Sequence, residues 1–302
     1  MPQNIELYKD KGYFYIILMS IKKTEVNTKP LILVDSSFVT FYRFFATIRW
    51  FSFAYKEEYK EIMEKYKNEY NWMTNKIFIE KYEKMYMDAL VKAIKKKVFN
   101  NADIIFCLDS PKETLWRSQI DCNYKGDRAD LSLKHNFKPT FAYTFNTIIP
   151  NLVKDNSNMK KLRIDTIEAD DIIAIICMHM KETNKDRPIY VISGDEDFLQ
   201  LGRDSIKFIN FKSKQPIVLT EDEALLALTK KLVMGDKSDC IASIFPKGSR
   251  VKKQEIIENK DKLKEYLDNN TDAKKQYDHN NKMINFENIP KKYYNMVVKS
   301  LV

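Results

Sequence analysis

Glu168-Ala169-Asp170-Asp171 opens an apolar run, and Asp195-Glu196-Asp197 follows the apolar stretch 189–193 after Gly194. A third acidic pair lies in Gly235-Asp236-Lys237-Ser238-Asp239, and Asp35 and Asp109 each close a further apolar run. Carboxylates this crowded repel and raise one another's pKa. Hard divalent cations relieve that repulsion, and Mg²⁺ or Mn²⁺ prefers oxygen ligands while keeping several waters. Two such ions roughly 4 Å apart can clamp a phosphodiester, activate a water and stabilise the leaving oxygen. The nine acids Asp35, Asp109, Glu168, Asp170, Asp171, Asp195, Asp197, Asp236 and Asp239 exceed what one ion needs, so two ions or an outer shell of acids is implied. The chain nevertheless carries a net charge of +9. Acids gathered on a basic background fit cations held against a polyanion, as in a metal-dependent nuclease.

The elements that must position these acids can be read from the apolar patterning. Leu31 to Val34, Ile104 to Leu108 and Pro188 to Ser193 are short continuous apolar runs, the pattern of strands buried on both faces, and Ile206 to Phe211 offers a further strand. Helical spacing fills Ala169 to Met180, and Thr220 to Met234 opens with the capping-box spacing of Thr220 and Glu223 and ends at Gly235. Strands alternating with helices predict an α/β domain with a mainly parallel sheet, whose crevice lies outside the carboxyl ends of the strands. Asp35, Asp109, Asp195 and Asp197 all fall at that edge. Glu168 and Asp171, three apart at a helix start, point to one side, with Asp170 turned elsewhere. Helix-dipole complementation accounts for one or two of these acids, not for acids recurring after three strands.

Phe41 to Asn100 is rich in Lys, Glu and aromatics, contains no Gly or Pro, and reads as two or three helices. Two descriptions fit it: a solvated amphipathic insertion packed by Trp50, Trp72 and the tyrosines, or a mobile cover over the crevice. Asp268 to Asn281, rich in Asn, Asp and Lys, reads as an exposed loop or poorly ordered segment. Cys107, Cys122, Cys177 and Cys240 form no C-x-x-C pair, which argues against a zinc site. The apolar stretch Tyr13 to Met19 is far shorter than the roughly 20 residues of a spanning helix and lacks a small-residue cleavage site.

Tyr124-Lys125-Gly126-Asp127-Arg128 supplies the opposite charge. Lys125 and Arg128 can reach one phosphate if the segment is helical, and cations there would stabilise charge developing in the transition state.

Taken in order, Leu33-Val34-Asp35, Cys107-Leu108-Asp109, Trp116-Arg117, the Tyr124–Arg128 segment, the Glu168 and Asp195 clusters and Gly235-Asp236-Lys237-Ser238-Asp239 resemble the flap-endonuclease (5′-nuclease) family, nearest its bacteriophage ribonuclease H branch. Met283-Ile284-Asn285-Phe286 and Ile289-Pro290 add to that likeness. The resemblance implies a PIN-like core, a mainly parallel sheet flanked by helices, over residues 30–220, with a helical insertion at 41–100 and an arch at 111–140. It implies a C-terminal helical, helix–hairpin–helix-type duplex-binding region at 221–302 and leaves 1–29 as an N-terminal extension. Asp35, Asp109, Glu168, Asp170, Asp171 and Asp195 would hold or support a first Mg²⁺, and Asp197, Asp236 and Asp239 a second, with Mn²⁺ able to substitute. Asp35 and Asp195 would serve the reaction with Lys125 and Arg128, which would contact the scissile phosphate from the arch. Arg117 and Tyr124 match positions on the substrate side.

The family's Gly-rich hairpin is degenerate here: only Gly248 remains and Pro246 lacks a donor. Lys247, Gly248, Arg250, Lys252 and Lys253 are therefore expected to grip duplex without a bound potassium ion. The implied activity is 5′→3′ exonuclease and flap endonuclease, with primer removal in replication. A monomer is expected, in the cytoplasm or a viral replication compartment, with nucleic acid as partner and a clamp or single-strand-binding protein as a further partner class. Two other readings compete: a PIN-like single-strand ribonuclease and a non-catalytic branched-DNA scaffold. The basic tail with Asp236 and Asp239 speaks against the first, and the full set of acids against the second.

Overall fold

A computed structural model describes residues 28–126, 135–213 and 215–301. Five parallel strands form one sheet: β1 (Leu31–Asp35), β2 (Asp103–Cys107), β3 (Met159–Leu162), β4 (Ile189–Ile192) and β5 (Ile206–Ile209). Their spatial order is β3-β2-β1-β4-β5. The chain builds outward from β1 to β3, then returns to the other side of β1 with β4. The topological switch point therefore lies between β1 and β4, where an open α/β sheet places its ligand crevice.

Alternation along β1 explains why it reads as an unbroken apolar run. Leu31 and Leu33 face a core built with helix Ala169–Thr183, whereas Ile32 and Val34 face a core built with α1 (Ser36–Ala54) and α3 (Lys76–Ile94). Burying each such side chain contributes about 1.5–3 kcal/mol. The edge strand β3, Met159-Lys160-Lys161-Leu162, exposes both lysines and so carried no apolar signal. The opposite edge is partly covered, because Phe208 and Ile217 exchange backbone hydrogen bonds at 2.9 Å.

The segment read as an insertion belongs to the core and to the crevice at once. Its first helix begins at Ser36, earlier than the sequence suggested, because the Asp35 carboxylate accepts the Phe38 N–H at 3.0 Å and caps it. Phe44 and Phe51 of α1 and Phe78, Tyr82 and Tyr86 of α3 are fully buried, and α2 (Lys56–Tyr66) packs beside α1. The reading of Asp268–Asn281 as an exposed loop is overturned: helices Lys260–Asp268 and Thr271–Ile284 run through it. Sparse apolar residues, Ala273, Tyr277, Met283 and Ile284, are spaced to form a buried stripe, and Asn280 is fully buried with its amide donating to Leu232 and Ala242 carbonyls. Composition hid that stripe. The last helix, Lys291–Lys299, packs on helix Ala169–Thr183 and contributes Tyr293 and Val297 to the sheet's core. Among the described residues no helix is long and apolar enough to cross a membrane.

Candidate active site

Asp35 ends β1, Asp109 follows β2 and Asp195 follows β4, so three parallel strands deliver one carboxylate each to the same edge. Asp170, in the first turn of helix Ala169–Thr183, completes the set. These four acids and Glu168 line one cleft of about 510 Å³, closed on another side by Phe38, Phe41, Tyr42 and Phe141. Two hydroxyls that the sequence reading missed set the acids in place. Ser193 donates to Asp35 Oδ2 at 2.8 Å and accepts the Asp195 N–H at 3.1 Å; Ser37 donates to Asp109. Asp109 also accepts the Ala169 N–H at 2.8 Å, tying the end of β2 to the helix that carries Asp170. Their only sequence signal was adjacency to a strand end. Gly194 permits the close packing here, since a Cβ there would lie 2.4 Å from the Phe38 ring.

The cleft acids repel as expected. Burial, then Asp109, pushes the Asp35 carboxyl up to about 7. Burial, followed by Asp35 and Asp195, raises Asp170 well above the carboxylate range. Among the described residues no three acids, cysteines or histidines already converge as a closed metal cage. The donors instead surround an open floor of hard oxygens, which suits a partly hydrated hard cation. Asp35 makes this testable. The native metal-free state binds an extra proton between about pH 4 and 7, so stability falls as pH rises through that window. Deprotonation is what a cation rewards. The gain in Tm from millimolar Mg²⁺ over EDTA is therefore expected to be larger at pH 8 than at pH 6; equal gains in paired melts would refute it.

Beneath the cleft lies a compensated layer. Glu168 and Asp171 point to one side, as their spacing predicted, and meet Arg117, whose Nη1 lies 3.1 Å from Glu168 and 2.8 Å from Asp171. The Trp116 indole also donates to Asp171 at 2.9 Å, and the Tyr124 hydroxyl donates to Glu168 at 2.9 Å. Burial pushes Glu168 upward, but its ion pairs with Lys125 and Arg117 hold it below its ordinary value. Arg117 and Tyr124, expected on the substrate side, are 3 % and 4 % exposed and face the acids from below. Asp171 is fully buried and does not line the cleft.

Lys125 does not sit on a regular helix. Its φ of 54° is left-handed, its N–H donates to the Asp239 carbonyl at 3.2 Å, its carbonyl accepts from Lys112 at 2.6 Å, and its ammonium meets Glu168. The helical spacing of Lys125 and Arg128 is thus not realised at Lys125. Arg128 lies outside the described residues, as do Asp127, the stretch 129–134 of the arch and residues 1–27 of the N-terminal extension.

The second set of acids is already bridged by a cation that the sequence reading missed. Lys231, in the last turn of helix Glu221–Met234, places its ammonium 2.7 Å from Asp197 and 2.6 Å from Asp236. Gly235, at φ 69°, lets the chain turn back so that Asp236 lies under that lysine; a Cβ there would strike the Ile241 carbonyl oxygen at 2.4 Å. Burial and Asp195 raise Asp197 to about 6 despite Lys231. Asp197 and Asp239 border a gap of about 10 Å³ shared with Asp170 and Glu168, so the two sets of acids adjoin. A cation entering the second set competes with Lys231. Lys231→Met is expected to tighten Mn²⁺ binding there about tenfold, ~1.4 kcal/mol, in a calorimetric titration; unchanged affinity would remove Lys231 from that role.

Lys247, Gly248, Arg250 and Lys252 are exposed on a separate small core formed by Val233, Ile244, Phe245, Ile256, Ile257 and Leu263. Lys252 pairs with Glu255 at 3.0 Å, and Lys253 lies over the Phe245 ring. Gly248, at φ 78°, has open space around it.

The family model for the 5′-3′ exonuclease N-terminal, resolvase-like domain matches residues 30–230. The chain belongs to the 5′-3′ exonuclease family. This 5′-3′ exonuclease family member is similar to DNA polymerase I of Streptococcus pneumoniae, 26% identical over 244 residues, covering 78% of this chain and 24% of that protein. It is similar to ribonuclease H of Enterobacteria phage T4, 26% identical over 155 residues, covering 50% of this chain and 49% of that one. The chain thus spans about half or less of the length of these relatives. Its fold matches that of a bacteriophage T5 flap endonuclease solved with DNA and metal ions, with a TM-score of 0.57, 16% identity, and 90% of this chain and 93% of that chain covered. At that identity the likeness is one of fold, and it reaches into the C-terminal helices beyond residue 230.

Proposed function

We propose that this chain is a divalent-metal-dependent 5′ nuclease that hydrolyses phosphodiesters at the 5′ ends of RNA–DNA or DNA duplexes, removing primers and flaps during replication. The observation that carries this reading is the convergence of Asp35, Asp109, Asp170 and Asp195 on one cleft at the sheet's switch point. The phage flap endonuclease solved with DNA and metal ions supports it through the shared fold. Asp35, Asp109, Asp170 and Asp195 would hold a first Mg²⁺ with Glu168 and Asp171 as support, and Asp197, Asp236 and Asp239 a second. Bound there, two Mg²⁺ or Mn²⁺ ions would supply an activated water and neutralise charge on the leaving oxygen.

The chain's own groups do the rest. Ser37 and Ser193 fix the carboxylates, and Arg117 pairs with Glu168 and Asp171 from below. Lys125, now on Glu168, borders the cleft, and would turn its ammonium onto a phosphate there with Arg128 as its partner. Lys247, Gly248, Arg250, Lys252 and Lys253 would follow the duplex backbone. The chain would act as a monomer in the cytoplasm or a viral replication compartment, alongside a clamp or single-strand-binding protein.

Cleavage of 5′-labelled nicked, flapped and RNA-primed duplexes, with Mg²⁺ and with EDTA, tests the reading. Release of short 5′ fragments only with metal is expected. Binding without cleavage under every divalent metal would overturn it in favour of a scaffold.

A further inference from the structure

Arg43 stands apart from the other half-buried or buried arginines. Arg117 pairs with Glu168 and Asp171, Arg187 with Asp103, and Arg203 with the Cys177 carbonyl and Ser205. Among the described residues the Arg43 guanidinium makes no hydrogen bond or ion pair, and its Nε is buried without a partner. The group is nonetheless held in place, 4.5 Å from the centre of the Tyr42 ring and 5.1 Å from that of Phe211. A guanidinium has five donors and is costly to withdraw from water unpaired. Stacking on aromatic faces fixes its plane and leaves the N–H edge for an anion, for which arginine is suited through bidentate contact with phosphate.

Its surroundings select that anion. Arg43 lines a cleft of about 280 Å³ that also receives Lys92, Asn210 and Phe211 and is lined by no acid. The cleft shares a wall with the carboxylate cleft: Phe38 and Tyr42 line the latter, and both rings touch Phe211 at 5.4 and 5.2 Å between centroids. Arg43 lies eight residues along α1 from Asp35, which is about 12 Å along the helix axis. Both clefts open at the carboxyl edge of the sheet, one beside β1 and the other beside the end of β5.

We infer that Arg43, with Lys92, forms a phosphate subsite that holds the nucleic-acid backbone a short distance from the cleaved bond. The subsite rests on the nuclease reading above and adds to it a strand path over the Phe38–Tyr42–Phe211 wall. The rings orient the arginine, and the arginine and lysine meet the strand.

The test uses the full chain carrying Asp35→Asn, so that binding to a 5′-flapped duplex is read in Mg²⁺ across a salt series, beside wild-type cleavage as a control. Arg43→Met is expected to reduce the slope of log affinity against log salt by about 0.9, which is about eightfold weaker binding near 0.1 M salt. Arg43→Lys, which keeps the charge but loses the planar fork, should keep the parent's salt slope with an affinity between those of the parent and Arg43→Met. Lys92→Met, at an exposed helical position that does not threaten folding, should lower the slope in the same direction. Parent-like affinity for Arg43→Met, or weaker binding with an unchanged salt slope, would overturn the subsite. A wild-type chain that neither binds nor cuts the duplex would instead overturn the nuclease reading on which it rests.

Discussion

Asp35→Asn is expected to reduce cleavage by at least ~10³-fold, about 4 kcal/mol of transition-state stabilisation, while leaving duplex binding largely intact. The same change should not weaken the fold. Asn keeps the side-chain oxygen that caps α1 through the Phe38 N–H and can still meet the Ser193 hydroxyl. It also removes a buried charge that Asp109 and Asp195 oppose. The melting temperature in EDTA should therefore stay level or rise, and Mg²⁺ should no longer raise it as much. Single-turnover cleavage and paired melts decide the matter: near-normal turnover would remove Asp35 from the metal set, and a large loss of stability in EDTA would mean its role is structural.

Arg117→Met carries the opposite signature. Its guanidinium is the main counter-charge for the fully buried Asp171 and shares Glu168 with Lys125, and its Nε donates to the Met283 carbonyl at 2.7 Å. Removing one partner of a buried ionic group typically costs about 3–5 kcal/mol, because the remaining charge stays desolvated. A drop in Tm on the order of 10 °C is expected from a thermal melt. Arg117→Lys should recover part of that loss, retaining the charge but not the fork. If Arg117→Met weakens substrate binding with Tm unchanged, Arg117 is a substrate contact after all.

The sequence disclosed the strands that are buried on both faces, because β1, β2 and β4 need unbroken apolar runs, and it offered β5 through Ile206, Phe208 and Ile209 around Lys207. It concealed β3, an edge strand whose lysines face solvent, and helix Thr271–Ile284, whose buried stripe is thin and partly polar. The site divides in the same way. Acids at strand ends were legible because parallel strands point their carboxyl ends to one edge. Lys231 was not, since nothing in a Lys inside an amphipathic helix says that the turn at Gly235 will bring Asp236 back beneath it. Arg117 was legible as a motif member but not as a buried counter-ion, because which face of the helix Trp116–Ile120 turns inward is set by the segment after Met283, more than 160 residues away.

Helix α1 makes the carboxylate cleft and the aromatic insertion two ends of one rod. Nineteen residues span about 28 Å, with Asp35 at one tip and the Trp50, Phe51 and Tyr55 rings near the other. Phe38 and Tyr42 share a side of that rod. Adding or deleting a single residue within it would rotate everything beyond by about 100°, turning distal aromatics out of the core or proximal ones out of the cleft. An insertion or deletion in this part of the chain is therefore expected to be tolerated only at the joints, at Tyr55 and in the exposed stretch 67–69. Divergence there can enlarge or shrink the insertion without moving the acids, whereas α1 itself must vary by substitution alone.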